Sequence, residues 1–269
     1  MRSSVLHKLA VYASVCTSVR QPWVIFQNQF GWLAPGEYTL ELRNGLRFRC
    51  RANTADANEA VVVGLAREYA ASWLVRLPPR ATVIDLGSHI GAFAVLAAHL
   101  HPDLTVHAYE PSSENVRLLH ENLKLNAADA RVVVHRAAAS ERDGRASLLL
   151  SASTDAFHVV SGAIRPGDRD EAFEYVQTRS LASIVRESGV ERVDLLKMDI
   201  EGSEYAVLES SPGAIAQCDA VLMEWHEDPG SARSLDWLLD YFGQLGFEVE
   251  RPRVNLIAAR RPGGAAQRS

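Results

Sequence analysis

Short apolar runs alternate with helical patterns through most of this chain, and most of the runs end in glycine or in polar residues. The run at residues 81–86 is rich in β-branched residues and ends at Gly87, and residues 92–100 follow with an apolar helical pattern. Further strand-like runs cover residues 105–110, 131–136, 146–150, 193–202 and 220–226. Strands that alternate with helices are joined by right-handed crossovers, so the pattern predicts a mostly parallel α/β sheet.

The C-terminal half departs from that alternation. Residues 247–251 and 254–259 have strand patterns that lie too close together for a crossover, so we expect these two strands to pair antiparallel. Apolar spacing predicts a capped helix at residues 178–188, closed by Gly189. Residues 151–174 are polar and show no sustained period, and we interpret them as a loop that faces the substrate.

Two local patterns precede the main sheet. Asn44 and Gly45 lie between two alternating runs, which predicts a β-hairpin with a type I′ turn. Asp56 and Glu59 have the spacing of a capping box, which favours a helix that begins there. The same two side chains, with Thr54, could instead face a pocket, and both interpretations can hold.

Length and composition agree with one main domain and a small-molecule partner. The chain has 269 residues, 47% of them hydrophobic, and a formal net charge of −5. This charge gives no electrostatic footprint for nucleic acid, and no basic run suggests a membrane surface. This composition is also compatible with a homo-oligomer. The predicted organisation is an N-terminal appendage (helix, hairpin and capped helix) at residues 1–80, the main domain at 81–262 and a disordered tail at 263–269.

The cysteines and the N-terminus point to the cytoplasm. Cys16, Cys50 and Cys218 are odd in number and far apart, which favours neither a disulfide framework nor a zinc site. Polar residues interrupt the apolar stretch at residues 9–15 and no cleavage site follows, so we expect an amphipathic helix there rather than a signal peptide. No apolar run approaches the roughly 18 residues of a transmembrane helix, and we expect a soluble protein.

A glycine-rich turn after the first main strand resembles a nucleotide-binding turn. Gly87 would allow a tight turn with bare backbone N–H groups, and Gly91 would let the next helix lie close to a ligand. Glu110 ends the second strand about 25 residues after Asp85, near the position from which an acid reaches a ribose. The small residues 137–140 could support a flat purine ring or simply pack tightly.

Titratable side chains collect where the predicted strands end. Asp199 and Glu201 are two residues apart, as are Glu224 and His226, so each pair points to one face while its segment is extended. His226 or Glu201 could remove a proton from a substrate hydroxyl, which we favour. Alternatively, Asp199, Glu224 and His226 could hold a divalent metal. The structural alternatives are a helix cap for Glu201 and a hydrogen-bonded strand-end residue for His226.

Four motifs together resemble the FkbM family of S-adenosylmethionine-dependent methyltransferases, from about Gly45 to Ala259. They are Asp85-Leu-Gly-Ser-His-Ile-Gly-Ala-Phe, Tyr109-Glu-Pro, Leu196-Lys-Met-Asp-Ile-Glu-Gly-Ser-Glu and Glu224-Trp-His. Arg51, Thr54, Asp56, Glu59 and Tyr69 also resemble the N-terminal pattern of that family. The resemblance implies a Rossmann-like class I methyltransferase with S-adenosyl-L-methionine as cofactor. One departure is His89, which stands where the family usually carries Asn.

The resemblance also implies roles for these residues. Gly87 and its neighbours would accept the methionine part of the cofactor, Glu110 its ribose, and Asp199 would lie beside the methyl group. The expected cofactor-binding residues are Asp85, Gly87, Ser88, His89, Gly91, Glu110, Pro111, Ala138 and Asp199. The expected substrate-binding residues are Thr54, Asp56, Glu59 and Tyr69. The expected catalytic residues are His226, Glu201, Glu224 and Asp199, without a metal.

The expected activity is O-methylation of a hydroxyl on a small natural product or sugar. Within methyl transfer, the alternatives are a nitrogen or a carboxyl acceptor. An NAD-linked oxidoreductase is disfavoured because the first turn lacks the G-x-G-x-x-G spacing. A non-catalytic cofactor-binding protein is disfavoured because the acids and His226 are present.

Overall fold

The computed structural model describes residues 17–64, 74, 76–150, 158–160, 172–226 and 234–263. In these residues the helices are α1 (Pro22–Gln29), α2 (Asp56–Gly64), α3 (Ala92–Leu100), α4 (Ser113–Leu125), α5 (Leu181–Glu187), α6 (Glu204–Ser210), α7 (Pro212–Ile215) and α8 (Leu235–Gln244). The strands are β1 (Glu37–Glu41), β2 (Arg47–Arg51), β3 (Thr82–Leu86), β4 (Thr105–Tyr109), β5 (Val132–His135), β6 (Ala138–Ser140), β7 (Gly144–Leu150), β8 (His158–Val160), β9 (Ala172–Ser180), β10 (Leu195–Met198), β11 (Ala220–Glu224), β12 (Glu248–Arg253) and β13 (Leu256–Arg260).

A seven-stranded sheet carries the main domain, in the order β12-β13-β11-β10-β3-β4-β5. The five strands from β11 to β5 are parallel neighbours, and β13 runs antiparallel to both β11 and β12. The prediction of a mostly parallel Rossmann-like sheet with one antiparallel strand near the C-terminus is therefore confirmed.

Two glycines hold the first crossover close to its neighbours. Gly87 has φ +76°, and a Cβ there would lie 1.8 Å from the backbone oxygen of Asp199, which follows β10. Gly91 has φ +89°, and its Cβ would lie 2.2 Å from Leu119 Cδ1 on α4. Because only glycine fits both the space and the backbone angle, these two positions fix how closely the β10 turn and α4 approach the end of β3.

Burial follows the predicted patterns in the crossover helices. All five residues of β3 are buried, as are residues 92–98 of α3, which is apolar all round because it packs inside the domain. Ser112 caps α4 by accepting a hydrogen bond from the backbone N–H of Asn115 at 3.4 Å. Leu118, Leu119 and Leu123 of that helix are buried and form its apolar face.

The N-terminal hairpin is confirmed, but its turn differs from the prediction. β1 and β2 pair antiparallel with Glu41 opposite Arg47. Leu42 N–H donates to the Leu46 oxygen at 2.8 Å, so three residues form the connection. Gly45 has positive φ and Asn44 does not, so a type I′ turn is wrong, because it needs positive φ at both positions. A positive-φ glycine that ends a three-residue loop is typical of a turn with a G1 bulge.

The hairpin docks on α4 through asparagine side chains. Asn122 Oδ1 accepts from the backbone N–H of Arg49, and Asn126 Oδ1 accepts from that of Arg47 at 3.0 Å. Each amide also donates to the backbone oxygen of the same partner residue. The two asparagines thus satisfy the outer edge of β2 as a neighbouring strand would.

A second sheet, in the order β6-β9-β7-β8, corrects two predictions. Residues 151–174 are not a continuous loop, because β8 and the start of β9 lie within them. Residues 178–180 belong to β9, and the helix begins only at Leu181, after the cap Ser180. Pairing of β9 with β7 and β6 outweighs the local helical pattern.

Several expectations concern residues outside the described part of the chain. These are the amphipathic helix before residue 17, Tyr69, residues 151–157 and 161–171 of the expected loop, and the tail from residue 264. Among the described helices, none has both the length and the apolar character that crossing a bilayer requires.

Candidate active site

A cleft of about 830 Å³ opens at the carboxyl ends of the central strands, where ligands of open parallel sheets bind. The residues that line it are Ala55, Glu59, Gly87, His89, Tyr109, Glu110, Pro111, Asn115, Ala137, Ala138, Ala139, Asp199, Ile200 and Glu201. The cleft therefore brings together residues of the N-terminal appendage, residues at the ends of β3, β4 and β10, and the small residues after β5.

Glu110 is a buried carboxylate whose position is fixed by three donors. Its Oε2 accepts from the backbone N–H of His89 at 2.9 Å. Its Oε1 accepts from Ser112 N–H at 2.9 Å and Asn115 Nδ2 at 3.2 Å. Burial raises the pKa of Glu110, and these hydrogen bonds oppose that rise. A carboxylate offers about four lone-pair sites, so Glu110 can still accept a hydrogen bond from a ligand hydroxyl.

His89 lies in the turn after β3 with φ +50°, a conformation that Asn and His adopt more readily than most residues. Its Nε2 lies 3.4 Å from Oδ1 of Asp56, an acid whose side chain is only 1% exposed. Burial lowers the pKa of His89, although Asp56 opposes this effect. The imidazole is therefore held neutral at the wall of the cleft.

Asp56 is bound by Arg51 rather than by its own helix. Arg51 donates to it through the backbone N–H, Nε and Nη2 at 2.7–2.8 Å. Burial raises the pKa of Asp56, but the hydrogen bonds from Arg51 outweigh this and the pKa lies below its usual range. Arg51 Nη2 also donates to Asn115 Oδ1 at 2.8 Å. These contacts join Glu110, His89, Asp56, Arg51 and Asn115 in a closed ring, which we call the cofactor-side ring.

The predicted capping box is therefore wrong for Asp56. Thr54 Oγ1 takes that place and accepts from the backbone N–H of Asp56 at 3.3 Å. Of the expected substrate-binding residues, Glu59 lines the cleft, whereas Thr54 and Asp56 do not.

Three of the expected cofactor-binding residues, Asp85, Ser88 and Gly91, lie outside the cleft lining. Asp85 is fully buried and lies 3.3 Å from Lys197 Nζ, and Ser88 Oγ donates to the Asp85 backbone oxygen at 3.0 Å. These two residues and Gly91 do not line the cleft. Gly87, His89, Glu110, Pro111, Ala138 and Asp199 do line it.

Lys197 is a functional residue that sequence reasoning missed. It is 2% exposed, donates to the Gly87 backbone oxygen at 2.6 Å and lies 3.8 Å from Asp199 Oδ2. Burial lowers the pKa of Lys197, but Asp85 and Asp199 outweigh this and raise it above its ordinary value. A lysine within an otherwise apolar strand was the available signal, since an ammonium group is buried only when it is paired.

Asp199, Glu201 and His226 meet beside the cleft. One ligand atom from each lies within 4.8 Å of the other two, and His226 Nε2 is 3.5 Å from Glu201 Oε2. We call these three residues the reaction-side cluster. The prediction that Asp199 and Glu201 point to one face of an extended segment is wrong, because β10 ends at Met198 and Glu201 has φ +51° in a turn. A turn rather than an extended pair brings the two acids together.

His226 is held by a second residue that sequence reasoning missed. Its Nδ1 lies 3.0 Å from Oε1 of Glu204, whose side chain is fully buried. The hydrogen bond with Glu204 raises the pKa of His226 to about 9, although burial opposes the rise; the charges of Glu204, Glu201 and Asp199 add to it. Glu204 closes the quoted motif, so its position in the sequence was the available signal.

Glu224 lies apart from the cleft lining and from this cluster. It ends β11, and its Oε1 accepts a hydrogen bond from Asn255 Nδ2. The alternative metal set of Asp199, Glu224 and His226 is therefore not the group that converges among the described residues, where Glu201 takes the place of Glu224. The spacing of the converging set would also suit a divalent ion.

A Rossmann-like sheet with a glycine-rich turn after β3, an acid at the end of β4 and this cluster beside the cleft defines an S-adenosylmethionine-dependent methyltransferase. Residues 85–249, more than half of the chain, match the family described as the methyltransferase FkbM domain, and the chain belongs to that family.

Known proteins with similar sequences include a methyltransferase and a much longer synthetase. The chain is 27% identical over 220 residues to the 31-O-demethyl-FK506 methyltransferase FkbM of Streptomyces tacrolimicus, covering 71% of this chain and 84% of that protein. It is 28% identical over 207 residues to the AMB antimetabolite synthetase AmbE of Pseudomonas aeruginosa. That match covers 64% of this chain but only 10% of AmbE.

Solved structures include an O-methyltransferase family protein from Burkholderia thailandensis. It has a TM-score of 0.45 and 14% identity, and the match covers 78% of this chain and 60% of that one.

Proposed function

We propose that this methyltransferase transfers the methyl group of S-adenosylmethionine to a hydroxyl of a small natural product or sugar. The observation that carries the proposal is the placement of His226 beside Glu201 and Asp199, next to a cleft that is lined by the buried acid Glu110. An alcohol must lose its proton during methyl transfer, and a histidine at this place can accept it.

The residues of the cleft fit the cofactor. Glu110 has acceptor capacity left for a ribose hydroxyl, and the small side chains Ala137, Ala138 and Ala139 leave room for a flat purine. Gly87 exposes backbone beside the same space. When bound, S-adenosylmethionine supplies an electrophilic methyl group, and its sulfur keeps the bonding electrons when the methyl moves to the acceptor oxygen. Asp199 at the edge of the cleft would lie near that positively charged sulfur.

The proton of the acceptor hydroxyl passes to His226. Neutral His226 accepts it at Nε2, and the resulting imidazolium is stabilised by Glu204 at Nδ1 and by Glu201 at Nε2. Much of the remaining barrier reduction comes from holding the hydroxyl in line with the methyl group. Because the pKa of His226 is raised to about 9, the neutral base is scarce at neutral pH and turnover should rise with pH up to about 9.

The substrate class is supported by a relative. The Streptomyces protein is by its name a methyltransferase that acts on 31-O-demethyl-FK506. By analogy, a hydroxyl on a natural product is the first acceptor to test for this chain.

The test is a search for methylated product with a deuterated methyl donor. The protein is incubated with methyl-deuterated S-adenosylmethionine and matched sets of alcohols, amines and carboxylic acids, with a chelator or with added Mg²⁺. Mass spectrometry should find labelled methyl ethers, formed equally well in the chelator. Labelled amines or esters in place of ethers would overturn the assignment to oxygen, and formation of ethers only with Mg²⁺ would overturn the metal-free route.

His226→Gln is the matched variant for this reaction. It should lose at least about 100-fold in turnover, in line with the usual contribution of a general base. Its affinity for S-adenosylhomocysteine, measured by calorimetry, should stay within about threefold of the unaltered protein. Unchanged turnover would remove His226 from the proton transfer.

A further inference from the structure

We propose that Glu204 is the positioning residue of this site, which holds His226 with Nε2 towards the acceptor and fixes the turn that carries Asp199 and Glu201. The inference rests on the proposed role of His226 as the base. It adds a residue that contacts neither the cleft nor the reacting atoms.

One oxygen atom makes the contacts that carry the inference. Glu204 Oε1 lies 3.0 Å from His226 Nδ1, and it also accepts from the backbone N–H groups of Ile200 at 3.3 Å and Gly202 at 3.2 Å. Ile200 and Gly202 flank Glu201, and Asp199 precedes them. The same carboxylate thus connects the end of β11 with the turn after β10, and it sets the distance between the base and its neighbouring acids.

The contact also selects the protonation state of the imidazole. A carboxylate can only accept, so Nδ1 must carry the proton and the lone pair of neutral His226 lies on Nε2. This is the nitrogen that faces Glu201 and the cleft side. Without Glu204 the neutral ring could place its proton on either nitrogen.

Burial decides which acid controls the charge of His226. Among the described residues, which do not include 227–233, the charged groups that face this ring are Glu204 at the start of α6 and Glu201 and Asp199 in the turn after β10; Lys197 lies behind Asp199. Glu204 is fully buried, whereas the side chain of Glu201 is 36% exposed. Water screens an exposed carboxylate more strongly, so Glu204 should contribute most of the attraction.

The test is an NMR titration of His226 that needs no acceptor substrate. The full-length protein is labelled with ¹⁵N on histidine and titrated in a chelator, and His226→Gln assigns the resonance. Above pH 9, where the ring is neutral, the spectrum should show the proton on Nδ1. A proton on Nε2 in the unaltered protein would overturn the proposal without any variant of Glu204.

Glu204→Gln then separates charge from shape. The variant keeps the length and an acceptor oxygen, so the pKa of His226 should fall from about 9 towards the ordinary value near 6.5 while the proton of the neutral ring stays on Nδ1. Glu201→Gln should lower it less, and Glu209→Gln, which alters an exposed acid later in α6, should leave it unchanged. An equal pKa in Glu204→Gln and the unaltered protein would contradict the proposal.

Turnover supplies the second reading once an acceptor is known. In Glu204→Gln the rise of kcat with pH should move to lower pH together with the titration of His226, with a KM for the acceptor within about threefold. A purely structural role for Glu204 would lower kcat equally at every pH. Failure to find any hydroxyl acceptor would reject the proposed function, yet it would leave the NMR result standing.

Discussion

The two groups of polar side chains at the cleft, the cofactor-side ring and the reaction-side cluster, are built from similar residue types in opposite ways. The cofactor-side ring buries its charged side chains and pairs each of them, with Asp56 1% exposed and Arg51 11% exposed. In the reaction-side cluster, Asp199, Glu201 and His226 are all partly exposed, and the buried residues Glu204 and Lys197 lie behind them. The charged side chains of the ring are paired with one another, whereas those of the cluster are partly exposed.

The electrostatic consequences differ in the same way. In the ring, burial keeps His89 neutral while Arg51 keeps the pKa of Asp56 low. In the cluster, neighbouring acids raise the pKa of His226. A buried network in which every group is paired holds one geometry, whereas acids gathered around a partly exposed histidine shift its pKa and leave it able to exchange a proton. Under the proposed function, the comparison teaches that binding and reaction place opposite demands on similar side chains.

The largest expected effect comes from breaking the ring. Arg51→Met leaves Asp56 buried without its partner, which should lower the free energy of unfolding by about 3–5 kcal/mol. Urea unfolding measures it, with Arg117→Met as the control. Arg117 pairs with Glu37 and Glu121 at the surface, so its loss should cost about 0–1 kcal/mol. Equal losses in the two variants would show that the ring is not a special element of the fold.

The next effect concerns cofactor affinity. Glu110→Gln places an amide among donors that a carboxylate satisfied, and hydrogen bonds to a charged group contribute about 1.5–3 kcal/mol each. S-adenosylhomocysteine should therefore bind about 100-fold more weakly by calorimetry, while Glu121→Gln on the exposed face of α4 binds normally. If His226→Gln also bound S-adenosylhomocysteine weakly, cofactor affinity could not be assigned to the cofactor-side ring alone.

A smaller effect sharpens the contrast through pH. The folded protein holds His226 with its pKa raised to about 9, above the ordinary value near 6.5. The stabilisation that charged His226 provides is therefore complete below pH 6.5 and lost as the pH rises to about 9. Unfolding experiments at both ends of this window should show that loss in the unaltered protein and a weaker one in His226→Gln. Identical pH dependence would mean that the acids around His226 do not attract it.

The smallest effect is expected at the position that departs from the family pattern. His89→Asn keeps a residue that tolerates positive φ and keeps the backbone N–H that binds Glu110. It loses only the 3.4 Å approach to Asp56. Affinity for S-adenosylhomocysteine should change less than about threefold at neutral pH, because burial already keeps His89 neutral. A tenfold change would place the imidazole in direct contact with the cofactor.

The sheet and the position of Gly87 and Glu110 in the cleft lining could be predicted from the sequence, because both depend on local signals. An apolar run, a glycine that must have positive φ, and an acid at the end of the next strand each act within a few residues of the chain. Gly87 and Glu110 therefore lie where they were expected. β9 was misassigned in part because a strand that pairs with distant β7 can override a local helical pattern.

For the reaction-side cluster, three of the four expected residues were predicted correctly, but their geometry was not. Asp199, Glu201 and His226 converge as expected, yet the turn at Glu201 and the contact of Glu204 with His226 depend on how two strand ends approach each other. No period in the sequence encodes that approach. Glu224 was expected in the cluster for the same reason that His226 was, and its contact with Asn255 in the β12–β13 hairpin could not be foreseen.

The contacts of β2 and α2 with the main domain bear on how this enzyme can be recombined. The region that matches the family begins at Asp85, yet Arg51 and Asp56 complete the ring that holds Glu110, and Asn122 and Asn126 of α4 pair with β2. A chimera spliced at residue 80 would graft a catalytic domain onto a foreign hairpin and lose half of these partners. A chimera that keeps these contacts must therefore be joined upstream of β1, so that the hairpin and the main domain stay together.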